Sequence, residues 1–297
     1  YHKTRELIDV ATKLTYEEVG KDNLSYANFR DITTVGTISK HIKANRAFRG
    51  SSPFNRKGNP DERDYVADSY LKVYGIESEV SLANTPEEIE EFMKDVGRRR
   101  LDSYTLDLYE KSKAEAEEEN KPFYATCLGG DYYTTGIPGK HGDAVKDVFK
   151  YMVKRITKLE GPSNPLYFHC NEGKDRTGFF AMVLEALTGC TLEDLVADAM
   201  LTFKNYYNVS VVNNKEKYDT LANLLIYRHI YSILVDDPVN SLPKINWYEF
   251  DAKAQVEKII GSFGNILSEC AQRYLFQIGL NEDEIRTLNA WLTAEEN

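Results

Sequence analysis

Apolar residues in this chain follow two periods in turn. At Glu79–Ala83, Phe123–Leu128 and Leu166–His169 they form short runs bounded by polar or turn residues, the pattern of buried strands. Between and after these runs they recur at three- and four-residue spacing, as on one face of a helix. Asp61–Tyr74 is helical by this criterion. Thr85, Pro86 and Glu88 supply an N-cap, a first-turn proline and a capping box for a helix with Ile89, Phe92, Met93 and Val96 on one face. Asp143–Leu159 carries Val145, Val148, Phe149, Met152, Val153 and Ile156 on one face and ends before Pro162 and Pro165. Thr177–Leu187 is apolar nearly all round, which predicts a central, buried helix closed by Gly189. Thr191 and Asp194 cap the next helix, with a stripe of Leu192, Leu195, Val196, Ala199, Met200 and Phe203.

Strands alternating with helices predict an α/β fold, a partly parallel sheet flanked by helices. After the turn-rich Asp236–Pro243 the pattern is helical to the end, closing with a helix capped near Asn281 that turns Ile285, Leu288 and Leu292 inward. We therefore expect one domain over residues 1–297, with 235–297 as a C-terminal helical appendage. The acidic run Lys111–Asn120 reads as a solvated helix face, and Arg98–Arg100 as a solvated helix end.

Charge narrows the function. A net charge of -10 argues against general binding to nucleic acid or to an anionic membrane, so an anionic substrate needs a local positive site. No stretch reaches the roughly 20 apolar residues of a membrane span, and the opening residues, with Glu6, Asp9, Glu17 and Glu18, are not signal-like. Cytoplasmic residence and secretion after signal removal both fit. Cys127, Cys170, Cys190 and Cys270 show neither close pairing nor zinc spacing and read as reduced thiols, and His2, His41, His141, His169 and His229 form no ligand pattern. The expectation is no metal and no cofactor.

The local positive site is legible at Tyr167–Gly178, YFHCNEGKDRTG, between the third strand and the buried helix. Five residues separate Cys170 from Arg176. A tight loop running into a helix N-terminus presents inward N–H groups and the positive end of the helix dipole, as phosphate requires. Arg176 adds a planar cation matching two phosphate oxygens. The same field favours the Cys170 thiolate, so nucleophile and phosphate cradle coincide. Gly173 lets the backbone curl, Thr177 can donate to the sulfur, and Asn171, Glu172 and Lys174 complete the cradle. His169 fits a loop-ordering role better than that of a base. A Walker A reading fails because the upstream glycine is missing and Asp175 stands where Ser or Thr would follow Lys174.

HCNEGKDRTG resembles the signature loop of the cysteine-dependent protein tyrosine and dual-specificity phosphatase superfamily. The GKDRTG form is similar to a microbial branch that includes secreted tyrosine and phosphoinositide phosphatases of pathogenic bacteria. Asn28, Phe29, Arg30 and Asp31 match that branch's NFRD motif, and Arg49, Gly50 and Ser51 its RS segment. The tail YLFQIGLNEDEIRTLNAWL resembles its closing helices. Ser81, Leu82 and Ala83 depart from it, standing where the branch has Asp-Leu-Arg.

The resemblance implies hydrolysis of phosphate monoesters through a cysteinyl-phosphate, with a phosphotyrosine protein, a phosphoinositide or an inositol phosphate as substrate. It also implies an aspartate as general acid. Asp131, in GGDYYTTGIP, resembles the mobile acid loop in position and is preferred. Asp175 matches the place where some phosphoinositide phosphatases keep their acid, and Asp143 fits a helix cap better. Lys174 is a second cation, suited to a second phosphate with help from Lys140 or His141, or else it only raises the potential for one. The competing class is a phospho-ligand binding module without turnover. A sulfur-transfer enzyme fits the arginine and threonine less well.

Overall fold

In the computed structural model the expected elements that fall on described residues keep the expected order, and two strands that the periodicity did not predict, at 30–31 and 47–50, precede them. The described residues are 13–14, 16–19, 24–53, 62–76, 78–83, 91, 105, 125–126, 142–158, 165–247, 249–264 and 266–293. Apart from residue 91, which is helical, the expected helix at 85–96, Arg98–Arg100, the run Lys111–Asn120, the loop holding Asp131, Lys140 and His141, and Cys127 lie outside them.

The sheet has five strands: β1 (Arg30–Asp31), β2 (Ala47–Gly50), β3 (Ser78–Ser81), β4 (Ala125–Thr126) and β5 (Leu166–His169). Their spatial order is β1-β2-β5-β3-β4. β5 lies at the centre, parallel to β2 on one side and β3 on the other, and only β1 runs antiparallel. A parallel central strand is covered on both faces, which explains why its four residues read as a continuous buried run.

Side chains alternate across this sheet. Ala47, Val80, Leu166 and Phe168 enter the larger core, while Phe48 and Tyr167 enter a smaller one against Val66, Ala67 and Leu71 of α1 (Glu62–Val73). Phe29 stacks on Tyr167 there, with ring centroids 5.0 Å apart.

The larger core is built by α2 (Gly142–Lys158), α3 (Asp175–Leu187) and α4 (Leu192–Tyr207), followed by α5 (Lys215–Leu221), α6 (Tyr227–Leu234), α7 (Ala252–Phe263), α8 (Leu267–Ile278) and α9 (Glu282–Thr293). α5 and α6 are joined through a π-helical turn at Ala222–Ile226. Every residue of α3 from Thr177 to Leu187 is buried, as its apolar sequence requires. α8 packs against α3 and α2, and α9 against α2, so Cys270, Tyr274, Leu288 and Leu292 share the core of Phe180.

The expected caps form. Thr191 and Asp194 make a reciprocal capping box at α4, and Asn281 and Glu284 do the same at α9. α3 begins two residues before the apolar pattern, at Asp175, because its first turn is polar and faces the loop. β3 ends at Ser81, while Leu82 and Ala83 stay buried past the strand end. No helix among the described residues is long and apolar enough to cross a membrane.

Candidate active site

The loop 170–174 leaves the carboxyl end of β5 and enters α3, the edge where open α/β sheets place ligands. The N-cap position of α3 is Lys174, which cannot accept a hydrogen bond, and no side chain caps the helix there. The first turn of α3 therefore begins without a side-chain cap, the arrangement that suits an anion.

A loop whose amides point inward must turn its carbonyls outward and satisfy them elsewhere. Three consecutive carbonyls are held from behind by the segment 28–52. The Ser52 amide donates to the Asn171 carbonyl (3.0 Å), Asn28 Nδ2 to the Glu172 carbonyl (3.0 Å) and Arg49 Nη2 to the Gly173 carbonyl (2.7 Å). Asn28 adopts a left-handed backbone, φ 52°, which asparagine tolerates. Gly173 also has a positive φ, 66°, and a Cβ on it would overlap the backbone of Gly50. A Cβ on Gly50 would in turn strike the Tyr167 hydroxyl. The two glycines let β2 and the loop touch backbone to backbone.

Arg49 and Arg30 are buried and converge on one carboxylate, Asp198 of α4. Arg30 Nε donates to Asp198 Oδ1 (2.7 Å), and Arg49 Nη1 donates to Oδ2. Thr202 and Asn205, on the same face of α4, complete the network through Asn28 at 3.0 Å each. Burial disfavours a charge on Asp198, but the two guanidiniums outweigh it and lower its pKa. Burial, and then the Asp198 charge, push the neighbouring Glu185 well above the carboxylate range. Two buried guanidiniums thus stand directly behind the loop, with Asp198 between them.

Cys170 lies in the loop with 4% of its surface exposed. Burial opposes ionisation, yet the Arg176 charge, together with the hydroxyl and amide of Thr177, lowers its pKa below the ordinary thiol value. The other described thiols move the opposite way: burial pushes Cys190 up to about 12 and raises Cys270 as well. Arg176 Nη1 donates to the Leu82 carbonyl (3.0 Å), so the end of β3 orients the guanidinium. His169 is fully buried, its Nε2 2.7 Å from Glu79 Oε1 and its Nδ1 3.0 Å from the Cys170 carbonyl. Glu79 and His169 project to the same side of adjacent strands, and their contact ties β3 to the root of the loop.

Cys170, Asn171, Glu172, Gly173, Lys174, Asp175, Arg176 and Thr177 thus stand together at one strand end. Asp175 is the first residue of α3 and half-buried. Asp131 lies outside the described residues, as does the side chain of Asp143, the second residue of α2. Lys174 does not project as a free cation: its ammonium lies 2.9 Å from Glu172 Oε2. Among the described residues no group of three or more His, Cys, Asp or Glu side chains could hold a metal ion.

The sequence reading gave no role to Asn28, Arg30 or Arg49 and passed over Glu185, Asp198, Thr202 and Asn205. Two signals were present. Glu185 interrupts an otherwise apolar helix, and Asp198, Thr202 and Asn205 recur at four- and three-residue spacing, a polar stripe beside the apolar one on α4.

No curated protein compared with the chain matches it significantly. The family model described as the tyrosine phosphatase family matches residues 23–294, which takes in the strands, the loop and the C-terminal helices. The chain therefore belongs to the tyrosine phosphatase family, and phosphatase is the activity that goes with that membership.

Proposed function

We propose that the chain is one phosphatase domain that hydrolyses phosphotyrosine in proteins through a cysteinyl-phosphate intermediate. The observation that carries this reading is the Cys170 thiol, drawn towards its thiolate by Arg176 and Thr177 at the uncapped N-terminus of α3. The sulfur attacks phosphorus in line, a sulfur–phosphorus bond forms and the ester oxygen departs with its electron pair. Arg176 and the loop amides hold the three equatorial oxygens. Water then cleaves the sulfur–phosphorus bond, releasing phosphate and restoring the thiolate.

The departing oxygen takes its proton from an aspartate, and we assign that role to Asp131. Asp175 is the alternative. It is the first residue of the helix, between Lys174 and Arg176, where a carboxylate complements the positive end of the helix dipole, a place that suits an orienting group. Phosphoinositides are the alternative substrate class, and they rest on Lys174. The packing of α8 and α9 against α3 and α2 supports treating residues after 235 as part of the same domain.

The test compares the parent with Cys170→Ser and Arg176→Ala on an aryl phosphate and a phosphotyrosine peptide. Cys170→Ser is expected to lose at least about a thousandfold in turnover. It should still bind tungstate, because Arg176 and the amides remain. Arg176→Ala should lose both. Turnover by Cys170→Ser within tenfold of the parent would overturn the covalent mechanism, and a parent that binds tungstate without turnover would be a phospho-ligand binding module.

A further inference from the structure

Lys174 adds a second cation to the loop besides Arg176. Its surroundings explain what becomes of it. The ammonium is bonded to Glu172 Oε2 at 2.9 Å, lies 3.4 Å from the Tyr207 hydroxyl, and sits over the rings of Tyr207 and Phe203 at 5.4 and 6.0 Å. Only 11% of its side chain is exposed. Glu172 is equally engaged: Oε2 also accepts from the Tyr207 hydroxyl at 2.9 Å, and Oε1 pairs with Lys13. Lys13 and Lys174 outweigh burial and hold the Glu172 carboxyl down at about 2, so it is an anion throughout the working range of pH.

The directions of these bonds matter more than their number. Glu172 and Tyr207 draw the Lys174 ammonium towards the C-terminal end of α4. A second phosphate on the substrate would have to break a partly buried ion pair to recruit that cation, and would then meet the Glu172 carboxylate left without it. A single phosphate asks for neither, since Arg176 and the loop amides already match it.

Building on the proposed phosphatase site, we infer that Glu172 is a specificity-determining residue: by tying Lys174 to Tyr207 and α4 it withholds the loop's second cation and restricts the site to singly phosphorylated groups. Phosphotyrosine belongs to that class, and an inositol ring with two adjacent phosphates does not.

Binding can test this without turnover. In the Cys170→Ser background, dissociation constants are measured by calorimetry for a phosphotyrosine peptide and for a short-chain inositol lipid bearing two adjacent ring phosphates. The measurements cover Glu172→Gln, Lys174→Ala and the double variant. Glu172→Gln should improve the lipid relative to the peptide by about tenfold, the worth of one added charge-assisted hydrogen bond. The double variant should lose that gain, because the cation is gone, whereas relief of general repulsion would persist in it. Lys174→Ala alone should weaken both ligands alike.

An unchanged ratio in Glu172→Gln would overturn the inference. So would a gain that survives in the double variant, or a selective loss of the lipid in Lys174→Ala. Turnover of the phosphotyrosine peptide by the parent is read separately. Its absence defeats the proposed function, and a failed ratio with normal turnover defeats the role of Glu172 alone.

Discussion

At the scale of single residues, what distinguishes Cys170 from Cys190 and Cys270 is its surroundings. All three are buried, and burial alone raises a thiol pKa. Only Cys170 has a guanidinium, a hydroxyl and a helix-start amide arranged to overcome it. Because its pKa is lowered, the thiolate populates at lower pH than an ordinary thiol, and alkylation by iodoacetate should rise through a midpoint below that of a free cysteine. Arg176→Ala should move this midpoint up, and Thr177→Val should move it up by less. A parent midpoint at the free-thiol value would remove the case for an activated nucleophile. The proton donor is tested in the same way, through chemistry that only one residue performs. Asp131→Asn should slow alkyl phosphates by about a hundredfold or more, while aryl phosphates with good leaving groups change little. The same pattern from Asp175→Asn, and not from Asp131→Asn, would transfer the role.

At the scale of elements, α4 serves as the platform behind the loop. Its N-terminal Asp194 does more than cap. Besides the box with Thr191, its Oδ1 accepts from the Thr37 amide at 2.6 Å and its Oδ2 from the Thr37 hydroxyl at 2.7 Å. That joins the helix start to the segment between β1 and β2. Thr191→Ala should cost about 1 kcal/mol, the usual worth of a cap. Asp194→Ala should cost about 2–4 kcal/mol, since hydrogen bonds to a charged group are lost as well. Urea unfolding of the two variants checks the difference, and equal costs would mean that the tie to Thr37 contributes nothing.

At the scale of the whole molecule, the loop is held by parts of the chain more than a hundred residues away. Asn28, Arg49 and Ser52 pin its carbonyls, and Asp198 anchors the arginines. Asp198→Ala leaves two guanidiniums buried without their carboxylate and should destabilise the fold by about 3–5 kcal/mol. Arg49→Lys retains the charge but cannot bridge Asp198 and the Gly173 carbonyl together. It should weaken tungstate binding more than it lowers the unfolding midpoint, and the reverse would make Arg49 a purely structural residue. Gly173→Ala must both adopt a positive φ and displace the Gly50 backbone, and should abolish anion binding.

The hydrophobic pattern by itself determined the strand at 166–169, the buried helix after it and the caps at Thr191 and Asn281, because these depend on neighbours within a turn or two. The spacing from Cys170 to Arg176 pointed to the proposed phosphate loop for the same reason: thiol, loop amides and guanidinium lie within seven consecutive residues. The tertiary structure alone decided what stands behind that loop and where Lys174 points. Arg30, Arg49 and Asp198 meet only when β2 is laid beside β5 and α4 packs over them, and the partner that captures Lys174 includes Tyr207, 33 residues further along the chain. Local periodicity records which face of an element is buried, whereas the pairing of charges across faces is set by how those faces are brought together.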